Sequence, residues 1–177
     1  MTAGAPPPAE VPAEGSTEVR WAGVEDAESA TEVLREAARW TARFGAPLWD
    51  PAGFTVEEHR ALAAAGELVG GFDGGYLVAC MRLQRADPLL WPEHPPGYAR
   101  YVHKVAVRRS HAGRGWAARL VTWAVDEARR AGAAAVCLDT LPDGKLPAFY
   151  AALGFRRHDD DPHFVGVLRV VRMHRVL

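Results

Sequence analysis

The sequence predicts a mixed α/β sandwich, and three observations carry that prediction. A β-branched run over residues 102–107 passes through a basic turn into an amphipathic helix that opens at Gly113 and Gly115. Two short apolar strands, residues 68–72 and 76–83, flank Asp73-Gly74-Gly75, which is hairpin turn chemistry. Strand and helix periodicities then interleave along the chain in the order β-α-α-β-β-β-α-β-α-β-β, a pattern in which helices cover a sheet.

Each element has its own signal. Residues 1–16 are Pro, Ala and Glu without periodicity and predict a disordered tail, with a single domain over residues 17–177. Residues 17–24 alternate as a strand. Ser29 with Glu32 reads as a capping box, and Val33, Leu34, Ala37, Thr41 and Phe44 recur at helical spacing until Gly45 and Pro47 stop the helix. Thr55 with Glu58 opens a second helix to about Ala65. After the hairpin, the Pro-rich residues 87–97 form a loop. The helix after Gly115 gathers Ala117, Leu120, Val121, Ala124 and Ala128 on one face and Arg119, Thr122, Asp126 and Arg129 on the other, and ends with Arg129, Arg130 and Gly132. Residues 135–139 form a buried strand. Asp143 can cap a helix through Leu153, although Pro147 fits only its first turn, and residues 155–157 and 164–177 supply the closing strands.

Composition narrows the function. A chain of 177 residues buries a core without disulfide or metal staples. Its net charge of −1 gives no field for nucleic acid or membrane, although Arg108, Arg109, Arg114 and Arg119 cluster locally, as a solvated helix start or as phosphate contacts. Cys80 and Cys137 lie in apolar runs, as buried reduced thiols of a cytoplasmic protein do. The N-terminal residues lack a basic start and an apolar stretch, and no run is long enough to span a membrane.

The strand-turn-helix at residues 101–120 is where chemistry is expected. Two glycines there let backbone N–H groups converge without a Cβ in the way, and the helix N-terminus adds partial positive charge, which suits a pyrophosphate. Neither GxGxxG nor GxxxxGK[ST] is present, so the ligand is a phosphate ester of another kind. The segment Val105-Ala106-Val107 followed by Arg108 to Ala117 resembles motif A of the GCN5-related N-acetyltransferases (GNAT superfamily), which bind acetyl-CoA. Gly115 and Ala117 fit that pattern, while Ala112 stands where the family has Arg or Gln. Phe149-Tyr150, three residues before Gly154-Phe155, resembles the family's late motif.

The resemblance implies a mixed, mostly antiparallel sheet of six to seven strands, flanked by about four helices and splayed between its fourth and fifth strands, where acetyl-CoA lies. Val105, Ala106 and Val107 would contact it along the strand, the first and last of these through backbone. Ala112, Gly113, Arg114, Gly115, Trp116, Ala117 and Ala118 would cradle its pyrophosphate. Tyr150 matches the family tyrosine that protonates the leaving thiolate; a phenol near pKa 10 can do so, and a core aromatic is the other reading. His103 matches a histidine position of the arylalkylamine acetyltransferases. By strand alternation it shares a face with Tyr101 and Val105, and a neutral imidazole there is either the base or a hydrogen-bonded wall residue. Asp143 stands where the family often has an Asn on the pantetheine arm; Asp cannot donate, and an N-cap is its other role.

Two further groups attract attention. Residues 158–163, His-Asp-Asp-Asp-Pro-His, read as a turn and as a rim attractive to a cationic acceptor, and no metal is expected. Trp40, Trp49, Trp91 and His59 lie in elements that form the acceptor side in relatives, with Trp40 at a spacing that also suits core. The reading is thus an N-acetyltransferase that uses acetyl-CoA as cosubstrate and acetylates a primary amine of a small molecule or peptide N-terminus. A homodimer is compatible with it. A non-catalytic acyl-CoA-binding sensor or interaction domain of the same fold is the alternative. A nucleic-acid module on the arginine patch is disfavoured by the near-zero charge and the lack of interleaved aromatics.

Overall fold

A computed structural model describes residues 15–43 and 48–177. Residues 1–14 of the expected tail, Phe44 of the expected helix and the helix-stop residues Gly45 and Pro47 fall outside them, while Ser16 O already accepts from Gly74 N at 2.9 Å. The elements are β1 (Thr17–Trp21), α1 (Ala27–Ala42), α2 (Val56–Ala64), β2 (Leu68–Asp73), β3 (Tyr76–Gln84), β4 (Ala99–Val107), α3 (Trp116–Arg130), β5 (Ala135–Thr140), α4 (Leu146–Ala152), β6 (Arg156–Arg157), β7 (His163–Val165) and β8 (Leu168–Val176). The sheet runs β1-β2-β3-β4-β5-β8-β6, with β7 also paired to β8. It holds eight strands, because residues 163–176 fold back as a hairpin. Only β4 and β5 are parallel, joined over α3.

The helices cover opposite faces. α3 and α4 pack with Val69, Val102, Leu138 and Phe155 on one side, and α1 packs with Leu68, Phe72, Cys80 and Ala106 on the other. Trp116, Leu120, Val121, Ala124, Val125 and Ala128 form the buried stripe of α3, and each large apolar side chain contributes about 1.5–3 kcal/mol by leaving water. Ala117, expected on that stripe, is instead half-buried and lines a cavity. Gly71 permits the close approach at the start of α3, since a Cβ there would lie 2.9 Å from the Trp116 ring.

Two caps differ from expectation. α1 begins at Ala27, so Ser29 and Glu32 lie inside it. A preceding 3₁₀ turn, residues 24–26, supplies the start signal, with Asp26 Oδ2 accepting from Gly23 N at 2.9 Å. α4 begins at Leu146 with Lys145 at its N-cap and Pro147 in its first turn. Asp143 is therefore not the cap and lies exposed in the β5–α4 loop. Thr55 does cap α2, accepting from Glu58 N at 3.1 Å.

Candidate active site

The site sits where β4 and β5 part. Their pairing covers Ala99↔Ala135 to Val102↔Leu138, whereas β5 stays paired to β8 through Thr140 and β4 to β3 through Val107. From His103 onward one edge of β4 therefore faces a wedge, and main-chain groups on such an edge need partners. At the far end of the wedge, Gly113 (φ 76°) and Gly115 (φ 79°) hold left-handed conformations, and Gly115 is the N-cap of α3. The first helical bond at this end is Arg119 N to Gly115 O, 3.0 Å, so the N–H groups of Trp116, Ala117 and Ala118 have no intrahelical acceptor. They look onto a cavity of about 300 Å³ lined by Val107, Ala112, Gly113, Gly115, Trp116, Ala117 and Ala118, together with His111 and Phe149. The wedge, the cavity and the unpaired amides fit a phosphorylated ligand with a peptide-like arm, as coenzyme A has.

Other expected cofactor residues stand apart from this cavity. Ala106 turns its side chain into the core under α1. Val105 packs toward α3, and Arg114 and Asp143 are exposed. Three arginines of the basic cluster are engaged by protein: Arg108 Nε donates to Leu77 O (3.1 Å), Arg109 lies 4.0 Å above the Trp40 ring, and Arg119 lies 4.3 Å above Trp116. His111 was not singled out from the sequence; its Nε2 lies 3.5 Å from Asp73 Oδ2 in the hairpin turn. Only the turn's position at the cavity mouth marks it, and no spacing rule does.

Tyr150 is buried on α4, in edge contact with Phe149 and Phe155. Burial, followed by the charge of Asp139, pushes its phenol up to about 12. Cys80 and Cys137 are buried free thiols, also pushed up to about 12 by burial.

His103 does not share a face with Val105. Arg82 pairs with His103 but Cys80 pairs with Ala106, so two residues of β4, Lys104 and Val105, oppose Met81 alone. This β-bulge resets the alternation, with Lys104 at φ 55°. Val102 and Val105 face α3, while His103 and Lys104 both face the α1–α2 side. There His103 stands between two carboxylates, Nδ1 at 3.3 Å from Asp139 Oδ1 and Nε2 at 3.5 Å from Asp87 Oδ2. Among the described residues these three form the one group with metal-ligand spacing, one ligand atom from each lying within 4.8 Å of the others. Asp87 Oδ2 is buried and has no hydrogen-bond partner among the described residues.

Nearby, Lys104 Nζ lies 5.1 Å from the Trp49 ring centroid, and Trp49 meets Phe54 edge-on. Burial, then the Arg82 charge, lowers the Lys104 pKa. Arg82 Nη2 lies 3.0 Å from Glu58 Oε2 and 3.5 Å from His59 Nε2. His59 is fully buried, with Nδ1 at 2.8 Å from Thr31 Oγ1 and 2.9 Å from Thr55 O, so it ties α2 to α1. Trp40 is exposed rather than core, and Trp91 is buried under the loop before β4. Within the acidic run, Asp159 binds Arg172 and His163 and His158 Nδ1 lies 2.9 Å from His174 Nδ1, while Asp160 and Asp161 are exposed.

The model of the Acetyltransferase (GNAT) family matches residues 31–155. The chain belongs to this family. Its members are acetyltransferases, and solved structures agree in fold. A GNAT acetyltransferase from Listeria monocytogenes superposes with TM-score 0.75 at 18% identity, covering 91% of this chain and 95% of its own. The yncA protein of Salmonella typhimurium, with its cofactor acetyl-CoA, gives TM-score 0.72 at 19% identity over 92% and 94%. The PaiA N-acetyltransferase of Thermoplasma acidophilum, in complex with coenzyme A, gives 0.70 at 16% over 92% and 99%. No protein of curated function matches the sequence. Among the described residues no helix is long and apolar enough to cross a membrane.

Proposed function

We propose that this GNAT protein transfers acetyl from acetyl-CoA directly to a primary amine of a small molecule or peptide N-terminus. The observation that carries the proposal is the run of unpaired amides from Trp116 to Ala118, opened by Gly113 and Gly115 onto the cavity beside the split of β4 and β5. These amides would hold the pyrophosphate, and the edge of β4 at Val105 and Val107 would pair with the pantetheine arm. Acetyl-CoA, when bound, supplies an activated acyl group on a thiol leaving group.

The residues around the split suit the rest of the reaction. A neutral imidazole offers one donor and one acceptor, yet His103 faces two acceptors, Asp87 and Asp139. In its neutral form it can donate to only one of them, and the N–H of an incoming ammonium would satisfy the other. The two carboxylates draw the ammonium in, and His103 takes the proton that frees the nitrogen lone pair. Tyr150 would act on the opposite side of the sheet edge. With its phenol near 12, full transfer to a thiolate whose thiol titrates near 8.5 is uphill, so its contribution is a hydrogen bond to the sulfur as charge builds there.

The test is coenzyme A release across a panel of amines, together with the melting temperature in acetyl-CoA. A ligand bound only by the native state adds RT ln(1 + [L]/Kd), about 2.7 kcal/mol at a hundredfold excess over Kd. A rise in melting temperature with amine-dependent release supports the proposal. A rise without release for any amine favours the acyl-CoA-binding alternative. No rise and no calorimetric heat at millimolar acetyl-CoA would remove both.

A further inference from the structure

Resting on that reading, we infer that the acceptor is an amino carboxylate: its amine faces His103, and its carboxylate is held by Lys104 and Arg82 beside Trp49.

The bulge puts two successive side chains, His103 and Lys104, on one face. Lysine is a costly residue at φ 55°, where glycine or asparagine adopts the backbone more cheaply; such strain is of order 1–3 kcal/mol and collects at functional sites. What Lys104 gains there is a partly buried position with its ammonium near an indole face and no carboxylate within ion-pair distance among the described residues. Its cross-strand neighbourhood holds a second cation with capacity to spare. Arg82 is 14% exposed, its Nε is buried with no hydrogen-bond partner among the described residues, and its 3.0 Å contact with Glu58 Oε2 lacks hydrogen-bond geometry, since that oxygen is itself unpartnered. Two cations thus share a half-desolvated corner in which Glu58 and, from the neighbouring strand, Asp139 only partly offset them, and the Arg82 charge lowers both Lys104 and His59. The other nearby guanidinium, Arg35, is already spent on Phe54 O at 2.8 and 3.1 Å. An anion placed between Lys104 and Arg82 relieves the repulsion and fills the empty donors.

The opposite polarity lies one residue away. Around His103, two carboxylates meet one imidazole, and Asp87 Oδ2 waits for a donor. The site is therefore dipolar, cationic at Lys104 and Arg82 and anionic at Asp87 and Asp139. Adjacent Cα atoms are about 3.8 Å apart, so a ligand that satisfies both ends carries its amine and carboxylate only a few bonds apart, as an α- or β-amino acid does. A polyamine would bring a second ammonium against Lys104 and Arg82.

The experiment compares coenzyme A release from acetyl-CoA by the full chain, using α- and β-amino acids against their carboxamides as matched pairs. Acids are expected to exceed amides in kcat/KM by about tenfold to a hundredfold, the worth of one or two charge-assisted hydrogen bonds. Lys104→Gln should collapse that ratio, chiefly through KM of the acid, and Lys104→Arg should restore much of it. Arg82→Gln gives the same readout if Lys104→Gln does not fold. Amides that match acids in the native protein overturn the inference, as does a ratio that survives in Lys104→Gln and Arg82→Gln. Turnover of other amines, with acids and amides both inert, also overturns it and leaves the acetyltransferase reading standing. If no amine is acetylated at all, that reading falls. Calorimetric binding to the coenzyme A-loaded protein then decides the inference: acid bound over amide, with the preference lost in Lys104→Gln, sustains it, and equal or absent binding overturns it.

Discussion

In the proposed reaction Tyr150 contributes through a hydroxyl that stays protonated. With its phenol at about 12, it is neutral throughout the range in which the enzyme can be assayed, so no loss of kcat between pH 8 and 10 arises from its ionisation. Tyr150→Phe is expected to lower kcat by roughly ten- to a thousandfold with little change in KM for acetyl-CoA; an unchanged kcat in a chemistry-limited assay reduces it to a packing residue. Gly115→Val addresses the cradle. A Cβ at Gly115 meets nothing within 4 Å, so the obstacle is the left-handed backbone at φ 79°, which a β-branched residue adopts at a cost of order 1–3 kcal/mol. Gly115→Val should lose acetyl-CoA binding by calorimetry while keeping native circular dichroism, and the exposed Arg114→Ala should lose far less. At this scale the sequence reveals the glycines but not the histidine's surroundings. The alternation that joins His103 to Val105 fails because a bulge with a lysine at positive φ leaves no mark in Val102-His103-Lys104-Val105, whereas the glycines announce their backbone by type.

Elements whose signals are local are legible, and those decided by distant partners are not. The hairpin of β2 and β3 and the Thr55 cap of α2 follow from neighbouring residues. The start of α1 is an exception, hidden although its signal is local: Asp26 Oδ2 accepts from Gly23 N, three residues away, and the helix begins at Ala27, two residues ahead of Ser29. The loop before β4 depends most on tertiary contacts. It is anchored from β8 by Arg172, 8% exposed, which donates to Leu90 O (2.7 Å) and Glu93 Oε1 (2.6 Å), binds Asp159, and lies 4.7 Å from the Trp91 ring. The same loop carries Asp87, so this anchor also positions one wall of the proposed amine site. Arg172→Met removes the shared partner of two carboxylates and is expected to cost about 3–5 kcal/mol in urea unfolding. Limited proteolysis within residues 85–98 should accelerate with it. A loss below 1 kcal/mol with unchanged cleavage would mean that the loop holds without the guanidinium.

Three histidines of the molecule, His59, His94 and His174, stand where protonation is opposed. Burial first, then the Arg82 charge, lowers His59. His94 and His174 are lowered by burial and by each other's cluster, with His158 next to both and Arg172 or Arg156 adding to it. Each of these groups binds a proton more readily in the unfolded chain, near 6.5, than in the folded one. Between those two values the unfolded state therefore holds more protons, and stability falls as pH falls. Glu93 and Asp159, held below the usual carboxylate range by Arg172 against the cost of burial, lose their contribution lower still. The contributions share one sign, so the melting temperature is expected to be level above about pH 7.5 and to decline steadily from 6.5 downward, by about 2–4 °C per kcal/mol lost for a domain of this size. His59→Gln lowers the plateau, because Thr31 and Thr55 lose a buried partner, but it removes one titrating group. Its melting temperature should therefore fall less steeply between pH 7 and 5 than that of the native chain. Parallel slopes in calorimetry would show that His59 does not titrate across the transition, and the acid sensitivity would then belong to His94 and His174.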